Sequence, residues 1–224
     1  MPAYSVMETG EYTGGIVFAK DKRTASRIGA NQWADGEIEY VEVSRRKDLD
    51  QYEGKGVPAS ILVEEGWRFE CGGCGMMISD CSMEDAGMPL SGIVGVEGCA
   101  IYCCHQCRRD HLSREAAVKE CGSAFQDMLR DMLRAQFSNA IFVPEDQWKN
   151  HVYVPKYFDP LVVREASVAF SLPGQKIGPA TLTYRHEGIH GLDLIGPVKP
   201  YFTCCAGDKE AFEAWAALAQ KGGE

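Results

Sequence analysis

Two cysteine pairs carry the clearest chemistry in this chain: Cys71-Gly-Gly-Cys74 and Cys104-His-Gln-Cys107, separated by 29 residues. In each pair a tight turn can aim two thiolates at one ion, and two such turns complete a tetrahedral S₄ shell of the kind Zn²⁺ prefers. Glycines flank the first pair and let the backbone fold around a metal. The second pair has one ambiguity. Cys103 precedes Cys104, and Cys103 with Cys107 would make a C-x-x-x-C spacing, the second choice after C-x-x-C. Four thiolates close the shell and leave no position for water, so the expected zinc is structural. The set read from the spacing is therefore Cys71, Cys74, Cys104 and Cys107.

Other residue types invite chemistry and carry less of it. Cys81, Cys99, Cys103, His105, His111 and Cys121 could supply a second metal, but no C-x-x-C spacing recurs among them. The vicinal pair Cys204-Cys205 reads as core packing, since free cysteines behave as small apolar residues. His186-Glu187-Gly188-Ile189-His190 formally matches the H-E-x-x-H of zinc peptidases. That chemistry requires a helix to put both histidines on one face, and Gly188 and Gly191 would each cost such a helix about 1 kcal/mol. The flanks look strand-like, so a hairpin tip is the better reading and a zinc-dependent hydrolase the weakest alternative. No catalytic residue is assigned. Arg23, Arg27, Arg45, Arg46, Arg108 and Arg109 form the candidate nucleic-acid-binding set, against the plainer reading of solvated edges neutralised by Asp21, Asp48 and Asp50.

Composition narrows the classes. The chain has 224 residues, 45% hydrophobic and 25% charged, enough to bury a core, so a metal would supplement packing. The net charge of −9 disfavours broad phosphate-backbone binding. Without a basic, apolar leader or a run of membrane-spanning length, the expectation is a cytoplasmic protein with no membrane association, and its ten cysteines read as reduced thiols.

The elements that must position the cysteines divide the chain into three expected regions: a small α/β region at 1–70, the zinc element and helices at 71–143, and a strand-rich part at 144–224. After a polar lead-in at 1–12, an apolar run at 14–19 predicts a strand, and Asp21 caps a helix through Trp33. Alternation at 37–43 predicts a second strand. Residues 61–63 and 67–69, with Gly66 between, read as a hairpin delivering Cys71, its Trp67 and Phe69 shielding the site. Residues 79–88 read as loop; 92–96 and 100–102 as a short hairpin. From His105 an apolar stripe of Leu112, Ala116, Cys121, Phe125, Met128, Leu129, Met132, Leu133 and Phe137 predicts helix, broken or bent at Gly122. Strands are expected at 151–154, 161–163, 166–172, 180–184 and 189–195. A closing helix follows, capped by Asp208, with Phe212, Trp215 and Leu218 inward.

A glycine-rich knuckle, a hairpin, and then C-x-x-C at the mouth of a helix resembles the treble-clef zinc fingers over about a quarter of the chain. The resemblance implies a scaffold, because treble clefs serve many functions. One class of treble clef is a nuclease with a histidine in its hairpin; no histidine lies between the two pairs here. The N-terminal run and first knuckle also resemble uncharacterised tailed-phage proteins, a likeness that implies no activity but makes a host-directed or counter-defence role an expectation. The resulting expectation is an α+β, non-enzymatic, zinc-stabilised protein that binds a protein partner, with nucleic-acid binding as the alternative.

Overall fold

The structure is a computed structural model and describes residues 1–11, 13–137, 140–144, 150–156, 160–186 and 199–221, with side chains up to residue 217. The fold is α+β, with a long helix, a cysteine cluster and a C-terminal sheet. By compactness the chain divides into two units, Met1–Leu112 and Ser113–Glu224. No helix among the described residues is long and apolar enough to cross a membrane.

The first unit opens on a strand where a polar lead-in was expected. β1 (Ala3–Glu8) is the middle of an antiparallel three-stranded sheet, ordered β2-β1-β3. A central strand is buried on both faces, so Ala3, Tyr4 and Val6 are buried together and the alternation that betrays an edge or half-exposed strand is missing. β2 (Gly14–Phe18) and helix α1 (Lys22–Trp33) form as expected, and the Asp21 carboxylate accepts the N–H of Thr24 at 2.7 Å. The second expected strand is half right. Residues Ile38–Tyr40 make a 3-10 turn, and the strand β3 (Val41–Arg45) follows it. α1 lies against this sheet through Ala25, Gly29 and Ala30, and Gly29 is required by the closeness of Val6, whose Cγ1 would stand 2.1 Å from an added Cβ.

Residues 61–63 are helical, not a hairpin arm. They belong to α2 (Ala59–Glu64), which buries Ala59, Leu62 and Val63. Gly66, at φ +90°, ends that helix: its N–H donates to the Val63 carbonyl and the Trp67 N–H to the Leu62 carbonyl, each at 3.0 Å. The left-handed glycine read as a strand turn is a helix terminator. The hairpin lies one step later, where β4 (Phe69–Glu70) pairs β5 (Met77–Ile78) across the knuckle. Residues Asp80–Asp85, expected as loop, form α3, capped by Ser79. The middle hairpin exists in its smallest form, with Val94 and Tyr102 exchanging both backbone hydrogen bonds at 2.9 and 2.8 Å.

α4 (His105–Gln136) is one continuous helix, and the boundary between the units falls inside it. Gly122 does not break it. The glycine is buried, and an added Cβ would stand 2.9 Å from Val152 Cγ1, so its small size admits a neighbouring strand. Leu129, Leu133 and Phe137 are buried as expected, whereas Leu112 and Met128 are exposed.

The second unit is built on an antiparallel sheet of β6 (Ile141–Phe142), β7 (His151–Tyr153), β8 (Glu165–Ser171), β9 (Ala180–Arg185) and β10 (Tyr201–Thr203), with β6 and β7 both pairing β8. Residues 161–163 are not strand, and the strand expected at 189–195 lies outside the described residues. One face packs Ala166, Val168, Phe170, Leu182 and Tyr184 against Leu129 and Leu133 of α4 and Trp215 of α5 (Lys209–Lys221). Trp215 stacks on Phe137 at 3.9 Å, and Phe212 lies at the margin of the same core. Asp208, expected to cap α5, is instead buried in the turn Ala206–Asp208, where its carboxylate accepts the backbone N–H groups of Lys176, Ile177 and Gly178 at 2.7–3.3 Å. It anchors the β8–β9 connection.

Candidate metal centre

The knuckle is held by its own backbone. Cys71 N–H donates to the Met76 carbonyl at 2.8 Å, and Gly75, at φ +73°, returns its N–H to the Cys71 carbonyl at 2.9 Å. Gly72 N–H reaches the Ile101 carbonyl at 2.8 Å, which ties the knuckle to the segment leading into α4. Gly73 faces that helix so closely that a Cβ there would stand 2.8 Å from the Cys107 carbonyl oxygen and 3.0 Å from its Cβ. Gly73 is therefore required by contact, and the Gly75 that follows by conformation.

Four sulfurs converge, those of Cys71, Cys74, Cys103 and Cys107, all within 4.8 Å of one another. From Cys103 Sγ the distances are 3.7 Å to Cys71, 3.8 Å to Cys74 and 3.4 Å to Cys107. Tetrahedral thiolates about 2.3 Å from an ion stand about 3.8 Å apart, whereas a disulfide requires about 2.05 Å. All ten cysteines are free thiols, and this set is spaced to hold a metal ion.

The converging set differs from the expected one in one member: Cys103 stands in the cluster and Cys104 beside it. The reason lies at the mouth of α4. Cys104 immediately precedes the helix, and its Sγ accepts the N–H of Cys107 at 3.4 Å, as a capping side chain does. Its sulfur stands 4.0 Å from Cys103 Sγ, beside the cluster of four. Cys103 is still outside the helix, and its side chain and that of Cys107, one turn in, both face the knuckle. Sequence spacing ranked the pair as C-x-x-C because it did not count the cap. The signal that could have found Cys103 is its place after Ile101-Tyr102, where a short strand runs into the cluster.

Ionisation fits a site for a cation. Burial pushes the Cys71 thiol up, but the N–H groups of Cys103, Cys74 and Gly73 more than offset it and bring it down to about 7. Burial, then the hydrogen-bonded sulfurs of Cys107, Cys71 and Cys74, push Cys103 far up. Burial likewise pushes Cys107 up to about 12. One thiolate is stabilised and its crowding neighbours resist a second negative charge, so a divalent ion must displace protons as it binds.

The surroundings are apolar. Ala59, Val63, Ile78, Met83, Ile93, Ile101 and Tyr102 pack with Cys71 and Cys103. Phe69 joins this cluster, and Trp67 stacks on it at 6.5 Å toward the neighbouring core, a packing role as expected. Among the described residues no second cluster of metal-ligating side chains forms: Cys81, Cys99 and His105 are exposed, His111 tilts against Tyr102 at 5.6 Å, and Cys121 packs in the core of the second unit. Cys204 likewise packs at the margin of that core. His186 is buried just beyond β9, while Glu187 and His190 lie outside the described residues.

The arginines divide. Arg45 donates two hydrogen bonds to Asp50, at 2.8 and 2.5 Å, and stands over the Tyr4 ring; Arg46 is held by Asp48 and Glu65. Arg109 bonds Gln106 at 2.5 Å. Arg23, Arg27 and Arg108 are exposed. No family model, curated protein or solved structure matches the chain.

Proposed function

We propose that the chain is a zinc-stabilised binding protein in which the ion fixes a recognition surface for a protein partner and performs no chemistry. The observation that carries this reading is the cluster of Cys71, Cys74, Cys103 and Cys107, whose separations suit a closed tetrahedral shell. A shell of four thiolates favours zinc and offers no open position for water or substrate. The ion would join the knuckle to the start of α4, and the exposed side chains around that junction would form the surface. A host-directed or counter-defence role is the biological setting this reading proposes.

The nucleic-acid reading is weaker because Arg45 and Arg46 are already neutralised by carboxylates and the net charge is −9. Metal analysis of the full chain should find one zinc, and cobalt(II) substitution should give the intense visible bands of tetrahedral thiolate coordination. An ion absent from the purified, reduced protein, or octahedral cobalt spectra, would refute the closed shell. Duplex or single-stranded binding with a steep salt slope would favour the nucleic-acid alternative.

A further inference from the structure

The second unit carries a constellation that the metal reading leaves unused. On the sheet face opposite its apolar core, strand register places His151, Ser167 and Thr183 side by side across β7, β8 and β9, with Glu165 one step along β8 beside Arg185. His151 Nδ1 lies 2.6 Å from Ser167 Oγ, and His151 Nε2 lies 3.3 Å from Glu165 Oε1. Arg185 holds the other carboxylate oxygen of Glu165 at 3.3 Å. His151, Ser167 and Glu165 line a cleft of about 500 Å³ together with Thr181, Thr183, Thr203, Cys204 and Cys205. Ser167 is 4% exposed while His151 is nearly half exposed, so the hydroxyl sits at the floor and the imidazole at the rim.

We infer that Ser167, His151 and Glu165 form a nucleophile, base and orienting acid for hydrolysis of a small polar carboxylic ester. A hydroxyl within hydrogen-bond reach of an imidazole, itself oriented by a carboxylate, is the arrangement that makes an alcohol nucleophilic. With Glu165 accepting the Nε2 proton, Nδ1 presents its lone pair to the serine hydroxyl. Ser167 Oγ adds to the ester carbonyl carbon as its proton passes to His151 Nδ1. The bond to the alcohol oxygen then breaks, and His151 returns the proton to that oxygen. Water attacks the acyl-serine, His151 takes the water's proton, and Ser167 leaves and is reprotonated, so ester and water become acid and alcohol. The hydroxyls of Thr181, Thr183 and Thr203, bonded to one another at 3.4 Å (Thr181 to Thr183) and 2.5 Å (Thr181 to Thr203), line the cleft where negative charge develops on the carbonyl oxygen. The cleft volume suits a small molecule, and its hydroxyl lining suits a polar one.

The test uses the full chain, a fluorophosphonate probe and 4-nitrophenyl acetate. Peptide mapping should find one phosphonyl adduct per chain, on Ser167, and Ser167→Ala should abolish both the adduct and a matching share of ester hydrolysis. His151→Gln should slow labelling by about 10²–10⁴-fold, the range of general-base assistance, with Glu165→Gln slowing it less. Circular dichroism of each variant confirms that the sheet is intact, and Ser167→Ala changes a single hydroxyl. No adduct on Ser167, an adduct elsewhere only, or labelling of an intact His151→Gln chain at the parent rate would each overturn the assignment and leave the three side chains as a cross-strand hydrogen-bond ladder. None of these outcomes depends on the metal centre.

Discussion

Exchanging the two adjacent cysteines for alanine separates ligand from cap. Cys103 Sγ lies 3.4–3.8 Å from the other three sulfurs, so Cys103→Ala removes a full corner of the shell. Structural zinc binding is worth about 10–16 kcal/mol in small fingers. An even quarter-share makes the lost corner worth about 2.5–4 kcal/mol, or about two to three orders of magnitude in Kd. Where free zinc stands about 1,000-fold above the parent Kd, the ion contributes about 4.1 kcal/mol to folding. In Cys103→Ala that falls to about 0.4–1.4 kcal/mol, a loss of about 3 kcal/mol, or about 10–20 °C in the melting temperature of a unit this size. Cys104→Ala loses only a helix-end acceptor, about 0.5–1 kcal/mol, and Cys104→Ser loses nothing because oxygen is the better acceptor. Metal content by mass spectrometry and thermal melts in zinc-buffered solution measure both quantities. If Cys104→Ala released the ion while Cys103→Ala retained it, the capping argument and the ligand set built on it would be refuted.

Gly73→Ala should weaken zinc binding by about 5- to 150-fold in a chelator competition while leaving all four thiols in place, because its Cβ would stand 2.8 Å from the Cys107 carbonyl oxygen and relieving that overlap costs about 1–3 kcal/mol. Asp208 governs the acid limb of the second unit. Backbone N–H groups of Lys176, Gly178 and Ile177, partly opposed by burial, hold its carboxyl below the ordinary aspartate range. The stability it contributes is therefore present above about pH 4 and lost as the pH falls through the lowered folded value. Asp208→Asn should lower the melting temperature at pH 7, and the gap between parent and variant should close as the pH falls below about 4. A gap independent of pH would show that the charge is not what anchors the β8–β9 connection.

Local sequence determined a good deal. The Asp21 cap and helix α1, the strands around residues 166–171 and 180–185, the long helix after His105 and the glycine-rich knuckle were legible because each is specified by neighbours in the chain. The two cysteine pairs announced a metal site for the same reason. Tertiary structure decided the rest. β1 was invisible because a central strand takes its identity from two partners, and Gly66 served a helix end as readily as a hairpin because positive φ is common to both. Gly122 sits within a continuous helix because Val152 needs the room, and Asp208 serves a distant turn in preference to its own helix. Which sulfur of Cys103 and Cys104 joins the cluster depends on where α4 begins. The Ser167, His151 and Glu165 grouping has no sequence motif at all. Antiparallel register assembles it from two strands, and register becomes fixed only when the opposite face is buried.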